Sequence, residues 1–411
     1  MEVDRKKILF LQKRLLFPTD TGGKIRTLNV LRHLAQWHDI TYVSNLLPCE
    51  QAYLGEMQSL GLELVNVPWL ETPRSSPLFY GQLAANLFSR FPFNVNKDYD
   101  RQLRRKVLDL VREREYDLLI CDFVQMARNC LGIDALPKML FQHNVESQIF
   151  QRHVQQSESL ARKAYMWLQW KKMHRFERDA GNDFDAVVAV SAQDRATFEQ
   201  EYGWQHCRTI GTAVDTEYFQ PSEDQGISKR CIFVGSMDWL PNEQGVLRFV
   251  REIWPLVRQQ VQTATFQIVG RNPTRAVSRL HGNNGITVTG TVSDVRPYIA
   301  GAQVAVVPLW VGGGTRLKVF EAMAMSKPVV STSLGVEGLE LQAGGQLKVA
   351  DTPESFAVEL VGLILDRVAC QRIAESARQH VIKNFSSEKI AKDFDVICRE
   401  TIWKSSGSSD L

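Results

Sequence analysis

Short apolar runs alternate with segments of helical periodicity along most of the 411-residue chain. Such runs suit strands that are buried on both faces, and the helical segments between them allow successive strands to lie parallel. We therefore predict an α/β chain with parallel sheets covered by helices. The predicted strands are residues 8–11, 40–43, 118–121, 139–141, 186–190, 231–234, 266–269, 286–288, 304–307 and 328–330.

A break in this alternation divides the chain. Residues 211–229 contain proline, glycine and several polar side chains, after which the same pattern begins again. Since 411 residues exceed the usual size of one core, we predict two Rossmann-like, doubly wound domains, 1–210 and 211–385. A helix is expected from residue 386, followed by a disordered tail, within 386–411. Such folds bind ligands at the carboxyl ends of their strands, so we expect functional residues in the loops after strands.

Composition and charge exclude several classes of protein. The net charge of +3 is too weak for nucleic-acid binding by broad electrostatics, although a locally basic surface can still touch an anionic membrane. The seven cysteines form no CxxC pair and do not cluster with histidine, so neither a metal site nor a disulfide framework is expected. No apolar window approaches the roughly 18–20 residues that span a bilayer. We expect a cytoplasmic protein that is soluble or lies at the inner face of the membrane.

The most informative segment follows the predicted strand 304–307. Three consecutive glycines lie there before a predicted helix, and glycine lets the backbone approach a ligand closely. The first N–H groups of the helix and its dipole then form an anion site suited to a pyrophosphate. Basic side chains in a first helical turn oppose the dipole unless a bound anion reverses that cost. The residues predicted to bind the diphosphate here are Gly313, Gly314, Thr315, Arg316 and Lys318.

Glu321 lies in the second turn of the same predicted helix. Its carboxylate can accept two hydrogen bonds from the vicinal hydroxyls of a ribose. An isolated glutamate in this position is usually solvated and paired with a lysine such as Lys318, three residues earlier. The neighbouring glycine run and basic pair favour the nucleotide interpretation.

Two other loops follow strands in the second half. Gly235 and Ser236 come directly after strand 231–234 and can approach a phosphate through their backbone. Arg271 comes after strand 266–269, where its side chain either reaches the ligand or remains on the surface. All three are predicted donor-site residues.

The polar segments after strands 8–11 and 139–141 indicate a second group of functional residues. Gly22 and Gly23 precede a predicted helix, although a tight turn explains two glycines equally well, and no GxGxxG pattern is present. His143 can orient a hydroxyl or donate to a sugar, and Glu146 can position it. An ordinary packed or exposed histidine is the competing interpretation.

Two segments of the first half combine aromatic residues with either proline or basic residues. Residues 68–93 are rich in aromatic residues and proline, and residues 152–178 form a basic helical stretch that includes Trp167 and Trp170. We favour a helical layer over the first sheet. The alternative is peripheral contact with a lipid surface that carries a lipid-linked acceptor.

Taken together, these segments resemble glycosyltransferase family 4, whose members are retaining enzymes with the GT-B fold, two Rossmann-like domains facing a central cleft. The similarity rests on Gly-Gly-Gly-Thr-Arg-Leu-Lys-Val-Phe-Glu at 312–321, Phe-Val-Gly-Ser at 233–236 and Gly-Thr-Ala-Val-Asp at 211–215. It implies a metal-independent hexosyltransferase that uses a nucleotide-diphosphate sugar as a substrate and needs no cofactor. The acceptor would be a glycan, a lipid-linked sugar or a small molecule, and the last helix would cross back to the first domain.

The resemblance also implies roles for individual residues. Val292 would contact the base of the donor through its backbone. The loop containing Gly22, Gly23 and Arg26 would contact the transferring end of the donor or the acceptor, and Asn144 would bind the acceptor with Arg26. The predicted catalytic residues are His143, Glu146, Arg316 and Lys318.

Two departures from the family pattern leave alternatives open. Gly313 occupies the position of the first of two family glutamates, and residues 237–244 lack the arginine and lysine that hold the diphosphate. The chain is similar to bacterial exopolysaccharide sugar transferases with the same Gly-Gly-Gly-Thr-Arg run, in which Arg316 and Lys318 would take over this duty. The alternatives are a GT-B nucleotide-sugar epimerase and a non-catalytic partner subunit of another transferase.

Overall fold

The computed structural model describes residues 4–19, 21–73, 75–157, 159–222, 229–311, 316–339 and 341–405. The chain divides into two compact units, Met1–Gly211 with Ile390–Leu411 and Thr212–Lys389, which we call unit 1 and unit 2. Each unit is built on a parallel sheet with helices between the strands, which confirms the predicted α/β class.

The described part of unit 1 contains a seven-stranded parallel sheet in the order β3-β2-β1-β4-β5-β6-β7. The chain winds outward from β1 in one direction and then returns to continue from β4 in the other, as in Rossmann folds. Its strands are β1 Lys7–Gln12, β2 Asp39–Leu46, β3 Glu63–Pro68, β4 Leu118–Asp122, β5 Lys138–Gln142, β6 Ala186–Ala189 and β7 Cys207–Thr209.

Helices connect the strands of unit 1. Several of them begin at a hydroxyl that accepts a backbone N–H, as Ser76 and Ser191 do. The predicted basic stretch 152–178 falls on two helices rather than one, and Met173 and Phe176 of the second pack into the core. The helices are α1 Gly22–Trp37, α2 Leu54–Gln58, α3 Pro77–Asn86, α4 Phe93–Asp98, α5 Arg101–Glu113, α6 Glu146–Gln156, α7 Leu160–Gly181 and α8 Ala192–Tyr202.

Within its described residues, unit 2 repeats this architecture with six parallel strands in the order β10-β9-β8-β11-β12-β13. The strands are β8 Arg230–Val234, β9 Thr265–Val269, β10 Ile286–Val288, β11 Val304–Val307, β12 Val329–Ser331 and β13 Lys348–Val349. The helices are α9 Leu240–Arg248, α10 Trp254–Gln260, α11 Arg275–Ser278, α12 Arg296–Ala300, α13 Leu317–Ala324, α14 Pro353–Leu365 and α15 Arg367–Phe385.

All ten predicted strands are present, and three strands were missed: β3, β7 and β13. Each of the three lies at the edge of its sheet. An edge strand has one neighbour and keeps part of its surface in water, so it needs no continuous apolar run. The sequences Glu-Leu-Val-Asn-Val-Pro, Cys-Arg-Thr and Lys-Val therefore carry no strong strand signal.

The last helix, α16 (Ser387–Ser405), belongs to unit 1 from Ile390 onward. Its Phe394 packs edge-on against Phe141 of β5, with the ring centroids 5.0 Å apart. Its Asp395 carboxylate lies 2.7 Å from Nε2 of the buried His38. Of the helices in the described part of the chain, none combines the length and the apolar character that a bilayer crossing needs.

Candidate active site

In unit 2, the loops after β8 and β9 meet the start of α13 in a group of polar residues, which we call the lysine cluster: Gly235, Ser236, Asn242, Arg271 and Lys318. The Lys318 ammonium donates to Asn242 Oδ1 over 2.7 Å and lies 4.4 Å from the centre of the Phe233 ring. A Cβ added to Gly235 would lie 2.9 Å from the Lys318 Nζ. It would also lie 2.7 Å from Asn242 Nδ2, so glycine after β8 lets the ends of both side chains lie close to the backbone.

The loops after β8 and β9 also touch through their backbones. A Cβ on Gly270 would lie 1.8 Å from the carbonyl oxygen of Gly235, so that position is closed to other residues. Arg271 Nε donates to Ser236 Oγ over 2.8 Å, and Ser236 in turn donates to Asp238 over 2.5 Å. The structure thus brings the predicted residues Gly235, Ser236, Arg271 and Lys318 together.

Burial shifts the pKa values of the two ionisable groups on α13, Lys318 and Glu321, to about 7. Burial and, to a smaller extent, the nearby charge of Arg316 lower the pKa of Lys318 to about 7, although Glu321 opposes both. Burial raises the pKa of Glu321 to about 7, against the effect of Lys318. The described residues provide no hydrogen bond to the Glu321 carboxylate. A bound anion would restore the charge of the lysine, because an opposite charge nearby favours the protonated ammonium.

Arg316 directly precedes α13. The prediction that it lies in the first helical turn is therefore wrong. Its backbone is non-helical, with φ −90° and ψ 51°, and its carbonyl accepts the Val319 N–H over 2.9 Å. The buried side chain directs Nη2 toward the Leu334 carbonyl at 3.4 Å, with the guanidinium carbon 6.0 Å from the Trp239 ring centre. Burial lowers the pKa of Arg316, while Glu337 opposes that shift. The arginine still flanks the start of α13 and the lysine cluster.

The other predicted residues of the donor site are Gly313, Gly314, Thr315 and Val292. Gly313, Gly314 and Thr315 fall outside the described residues. Val292 is partly buried, and its side chain packs against the core of unit 2.

In unit 1, a second group of polar residues lies at the ends of β4 and β5, and we call it the histidine cluster: Arg26, Thr27, Asp122 and His143. His143 directly follows β5, and its Nε2 lies 2.6 Å from Oδ1 of Asp122, the last residue of β4. Thr27 Oγ1 donates to the other carboxylate oxygen of Asp122 over 2.7 Å. The side-chain amide of Gln12 donates to that same oxygen. All of these residues are buried.

Two contacts decide which nitrogen of His143 carries the proton. Arg26 Nη1 lies 3.2 Å from Nδ1, and a guanidinium only donates, so Nδ1 must be the acceptor. The proton then sits on Nε2 and is donated to Asp122. Burial lowers the pKa of His143, and Arg26 adds to this effect, whereas Asp122 opposes it. Burial also lowers the pKa of Arg26 to about 10, against Asp194 and Asp122.

Phe123 covers the histidine from one side. Its ring stacks on His143 with the centroids 4.1 Å apart, and its backbone adopts a φ of 69°, which is rare for an aromatic residue. A Cβ added to Gly23 would lie 2.5 Å from the Phe123 ring, whereas one added to Gly22 would meet nothing within 4 Å. The two glycines, predicted as one motif, thus have different roles: Gly23 makes room for Phe123, and Gly22 stays open.

Glu146 is the first residue of α6 and is buried. Burial raises its pKa to about 6, although hydrogen bonds from Gln125 and Asn144 oppose this. The backbone N–H groups of Glu146 and Ser147 donate to the buried carboxylate of Glu177, over 2.9 and 3.0 Å. Since a protein carboxylate already satisfies the start of α6, this helix end is not an anion site. Asn144, just before it, is exposed.

Asp122, Phe123, Glu177 and Asn242 were missed in the sequence. Asp122 could have been found, because it is a carboxylate at the carboxyl end of a predicted strand, the same criterion that selected His143. Glu177 lies within a helix, 31 residues from the backbone it caps, and Phe123 owes its place to a local backbone conformation. No local sequence pattern therefore identifies Glu177 or Phe123 as a site residue.

Comparison with known proteins gives matches along both units. A family model described as Glycosyltransferase Family 4 matches residues 21–218, and one described as Glycosyl transferases group 1 matches residues 228–366. An uncharacterized 44.6 kDa protein in the cps region of Klebsiella pneumoniae is 22% identical over 404 residues, which cover 93% of this chain and 97% of that protein.

Solved structures match over nearly the whole length. Anabaena Alr3699/HepE, in complex with UDP and glucose, has a TM-score of 0.64 at 16% identity, covering 96% of this chain and 100% of that one. Sucrose-phosphate synthase from Thermosynechococcus elongatus has a TM-score of 0.67 at 14% identity, covering 97% and 100%. At such identities the likeness concerns the fold alone.

Proposed function

We propose that this chain, which is a GT-B glycosyltransferase made of a family 4 domain and a group 1 domain, moves a hexose from a nucleotide-diphosphate sugar to an acceptor with retention of configuration. The family and the fold agree with the prediction from the residues. The acceptor is a glycan, a lipid-linked sugar or a small molecule. The observation that supports this proposal most directly is the Lys318 ammonium, which lies against the Gly235 backbone beside the start of α13.

Unit 2 would bind the donor. The diphosphate would lie at the start of α13, where Lys318, Arg316 and the first N–H groups of the helix favour negative charge. The same groups would stabilise the charge that develops on the leaving diphosphate, which is why we propose catalysis without a metal ion. The predicted glycines Gly313 and Gly314 would admit the phosphates close to the backbone.

Glu321 would hold the ribose of the donor. Its carboxylate has no hydrogen bond within the described residues, and in the ionised state it can accept from two hydroxyls. Val292 would contact the base through its backbone. Because the Anabaena protein was crystallised with UDP and with UDP-glucose, uridine diphosphate sugars are the first donors to test.

Unit 1 would bind the acceptor and position the reacting groups. We assign His143 and Glu146 to catalysis. Arg26 and Asn144 would bind the acceptor, and Gly22 and Gly23 would contact the donor. Asp122 positions His143 by holding its Nε2 proton, so the imidazole stays neutral and correctly oriented. The acceptor would attack from the face that the diphosphate leaves, and a phosphate oxygen of the donor would take the acceptor's proton.

A peripheral membrane contact is supported by one surface of unit 1. Lys172 of α7 donates to the carbonyls of Asn86 and Leu87 at the end of α3, and the next residue, Phe88, is 94% exposed. Trp167 on α7 is half exposed, and Lys171 lies over the neighbouring Trp170 ring. Aromatic and basic side chains together suit the interface of an anionic bilayer. Sedimentation with phosphatidylglycerol vesicles tests this, and a wild-type chain that stays in the supernatant would contradict it.

Thermal-shift and calorimetric titration with UDP-, GDP- and ADP-sugars tests the donor assignment, since a ligand raises the apparent stability by mass action. We expect one sugar nucleotide to bind, and Arg316→Ala and Glu321→Ala each to weaken its binding at least tenfold. Arg279→Ala is the matched control, because Arg279 is an exposed arginine of the same unit. Wild-type affinity in both site variants would overturn the assignment.

A non-catalytic partner subunit is the second candidate, because Gly313 replaces a family glutamate. Such a protein would bind the nucleotide without turnover. Incubation of the purified chain with UDP-glucose and a mixture of glycan acceptors separates the two: released UDP that depends on the acceptor supports the transferase. Conversion of the sugar nucleotide without any acceptor would instead indicate the epimerase.

A further inference from the structure

A groove of about 440 Å³ opens in unit 1 beyond the carboxyl end of β3. This volume lies in the range of roughly 300–1,000 Å³ that is typical of small-molecule sites. Three aromatic residues line it: Trp69, Phe93 and Tyr99. The mechanism proposed above does not use this groove, and nothing assigns it a ligand.

The aromatic walls are held in place by the surrounding elements. The Trp69 backbone N–H donates to the Leu46 carbonyl at the end of β2 over 2.9 Å, which fixes this residue to the sheet. Phe93, the first residue of α4, packs edge-on against Phe79 of α3 at 5.5 Å between ring centroids. Arg128 lies over the Tyr99 ring at 4.0 Å. The groove is thus formed without a ligand.

The polar groups of the groove are neutral or already compensated. The Glu71 carboxylate pairs with Lys97 and with Arg14, at 3.4 Å, and these cations keep its pKa below the usual value even though burial alone would raise it. The Gln82 amide donates to the Thr72 hydroxyl over 3.3 Å. Both neutral groups keep further donor and acceptor positions, because an amide has two donor hydrogens and a carbonyl oxygen.

This combination matches the chemistry of a neutral sugar. A pyranose ring presents C–H faces, which pack on aromatic rings, and a rim of hydroxyls that both donate and accept. Since Glu71 is already paired with cations, the groove does not call for a charged ligand. An alkyl chain would cover the amides and the ion pair without replacing their contacts with water, which is costly.

The position of the groove indicates which residue of an oligosaccharide acceptor it would bind. β3 lies three strands from β4 in the sheet, and the spacing of about 4.8 Å per strand puts the groove roughly 14 Å from the end of β4, where Asp122 lies. We propose that the groove is an acceptor subsite that binds a neutral, non-reacting sugar residue of an oligosaccharide. This inference rests on the proposed function, which supplies the acceptor.

Saturation-transfer NMR on the full chain tests the inference, with the methyl glycosides of glucose, galactose, mannose and N-acetylglucosamine as probes. We expect transfer to at least one glycoside, reduced at least fivefold in Trp69→Ala and in Gln82→Leu. Gln82 is exposed, so its replacement leaves the fold intact even if Trp69→Ala does not. Tyr80→Ala is the aromatic control, since Tyr80 is exposed on the same helix as Gln82 and does not line the groove.

The outcomes separate this inference from the proposed function. If UDP-glucose binds the wild type but no glycoside signal depends on Gln82 or Trp69, the groove assignment is wrong and the transferase proposal stands. If glycoside signals depend on both residues while no sugar nucleotide binds, the groove is a sugar site and the proposed function fails.

Discussion

The two polar clusters of this chain lie at comparable places in their sheets and are built in opposite ways. In the histidine cluster of unit 1, Asp122, His143 and Arg26 are buried and contact one another. In the lysine cluster of unit 2, Lys318 and the adjacent Glu321 are half-buried, and Glu321 accepts no hydrogen bond from the part of the chain that the structure describes. The histidine cluster is held in position by contacts among its own side chains, whereas Glu321 leaves its carboxylate to a ligand.

The pKa values express the same difference in energetic terms. Burial shifts the pKa values of Lys318 and Glu321 to about 7, and the attraction between the two groups offsets this only in part. A group whose charge is penalised in the free protein gains most when a ligand supplies the opposite charge or the missing hydrogen bond. Unit 2 should therefore respond strongly to a ligand, whereas unit 1 should respond mainly to changes in its own packing.

The largest effect is expected from Lys318→Met on donor binding. A charge-assisted contact contributes about 1.5–3 kcal/mol, so the Kd for the donor should rise about 10- to 150-fold. Calorimetry with UDP-glucose, or with the sugar nucleotide that stabilises the wild type most, measures it. Arg279→Met serves as the control. A Kd within twofold of the wild type would mean that the lysine cluster does not hold the diphosphate.

Asp122→Asn should separate the two clusters by affecting turnover and leaving donor affinity unchanged. The asparagine amide can present N–H groups to His143, so the imidazole loses the acceptor that keeps its proton on Nε2. We expect kcat to fall about 10- to 100-fold, as for a misplaced acid–base group. Asp109→Asn, on α5 of the same unit, is the control. A changed donor Kd with normal kcat would contradict the division of roles.

The pH dependence of donor affinity should report both groups of α13. Lys318 must be protonated to contact the diphosphate, so the affinity for the donor falls above the Lys318 pKa of about 7. Glu321 must be ionised to accept from the ribose hydroxyls, so the affinity also falls below the Glu321 pKa of about 7. Each limb approaches about tenfold per pH unit. UDP-glucose is the suitable probe, because its diphosphate is esterified at both ends and lacks the second ionisation near about pH 6 that a terminal phosphate has.

Two variants separate the limbs of this profile. Lys318→Arg keeps its charge at high pH and should remove the alkaline limb. Glu321→Gln cannot ionise and should remove the acidic limb at the cost of a lower maximum. A flat profile in the wild type would show that neither group binds the donor.

Gly23→Ala and Gly22→Ala test the packing of unit 1. The new Cβ at position 23 would lie 2.5 Å from the Phe123 ring, and overpacking of this kind costs about 1–3 kcal/mol. The same change at position 22 enters open space and should alter the free energy of unfolding by less than about 1 kcal/mol. Urea denaturation of both variants measures the difference. Equal stabilities would mean that Phe123 moves aside and does not hold His143.

The sequence predicted the strands better than it predicted the contacts at their ends. Ten strands were predicted because buried parallel strands are apolar throughout, and the same rule failed for the edge strands β3, β7 and β13. Lys318 and Asn242 are 76 residues apart, and Arg26 and His143 are 117 apart. Such contacts depend on the order of the strands in the sheet, and no local spacing encodes that order. Only the residue types at strand ends could be predicted.

The smallest effect is expected at Asp395, where the ionisable pair contributes to stability and not to ligand binding. His38 and Arg399 lower the pKa of Asp395 although its burial alone would raise it. A carboxyl with a lowered pKa stabilises the fold above its unfolded value of about 3.9, and this contribution is lost as the pH falls through the folded value. Asp395→Asn should therefore weaken α16 at pH 7 by about 1 kcal/mol, and its effect should shrink as the pH falls below about 3.9.

Hydrogen exchange of the α16 amides at pH 7, 5 and 3 measures this loss, with Glu113→Gln on the surface of the same unit as the control. Glu321→Gln in unit 2 is expected to behave in the opposite way: since Glu321 has a raised pKa, removing its charge relieves a cost and should leave the protection of unit 2 unchanged or higher at pH 7 and above. Equal losses of protection at Asp395 and Glu321 would mean that the two units hold their ionisable groups alike. The contrast between a carboxylate that is paired in unit 1 and one that lacks a hydrogen bond in the described part of unit 2 would then not matter for stability.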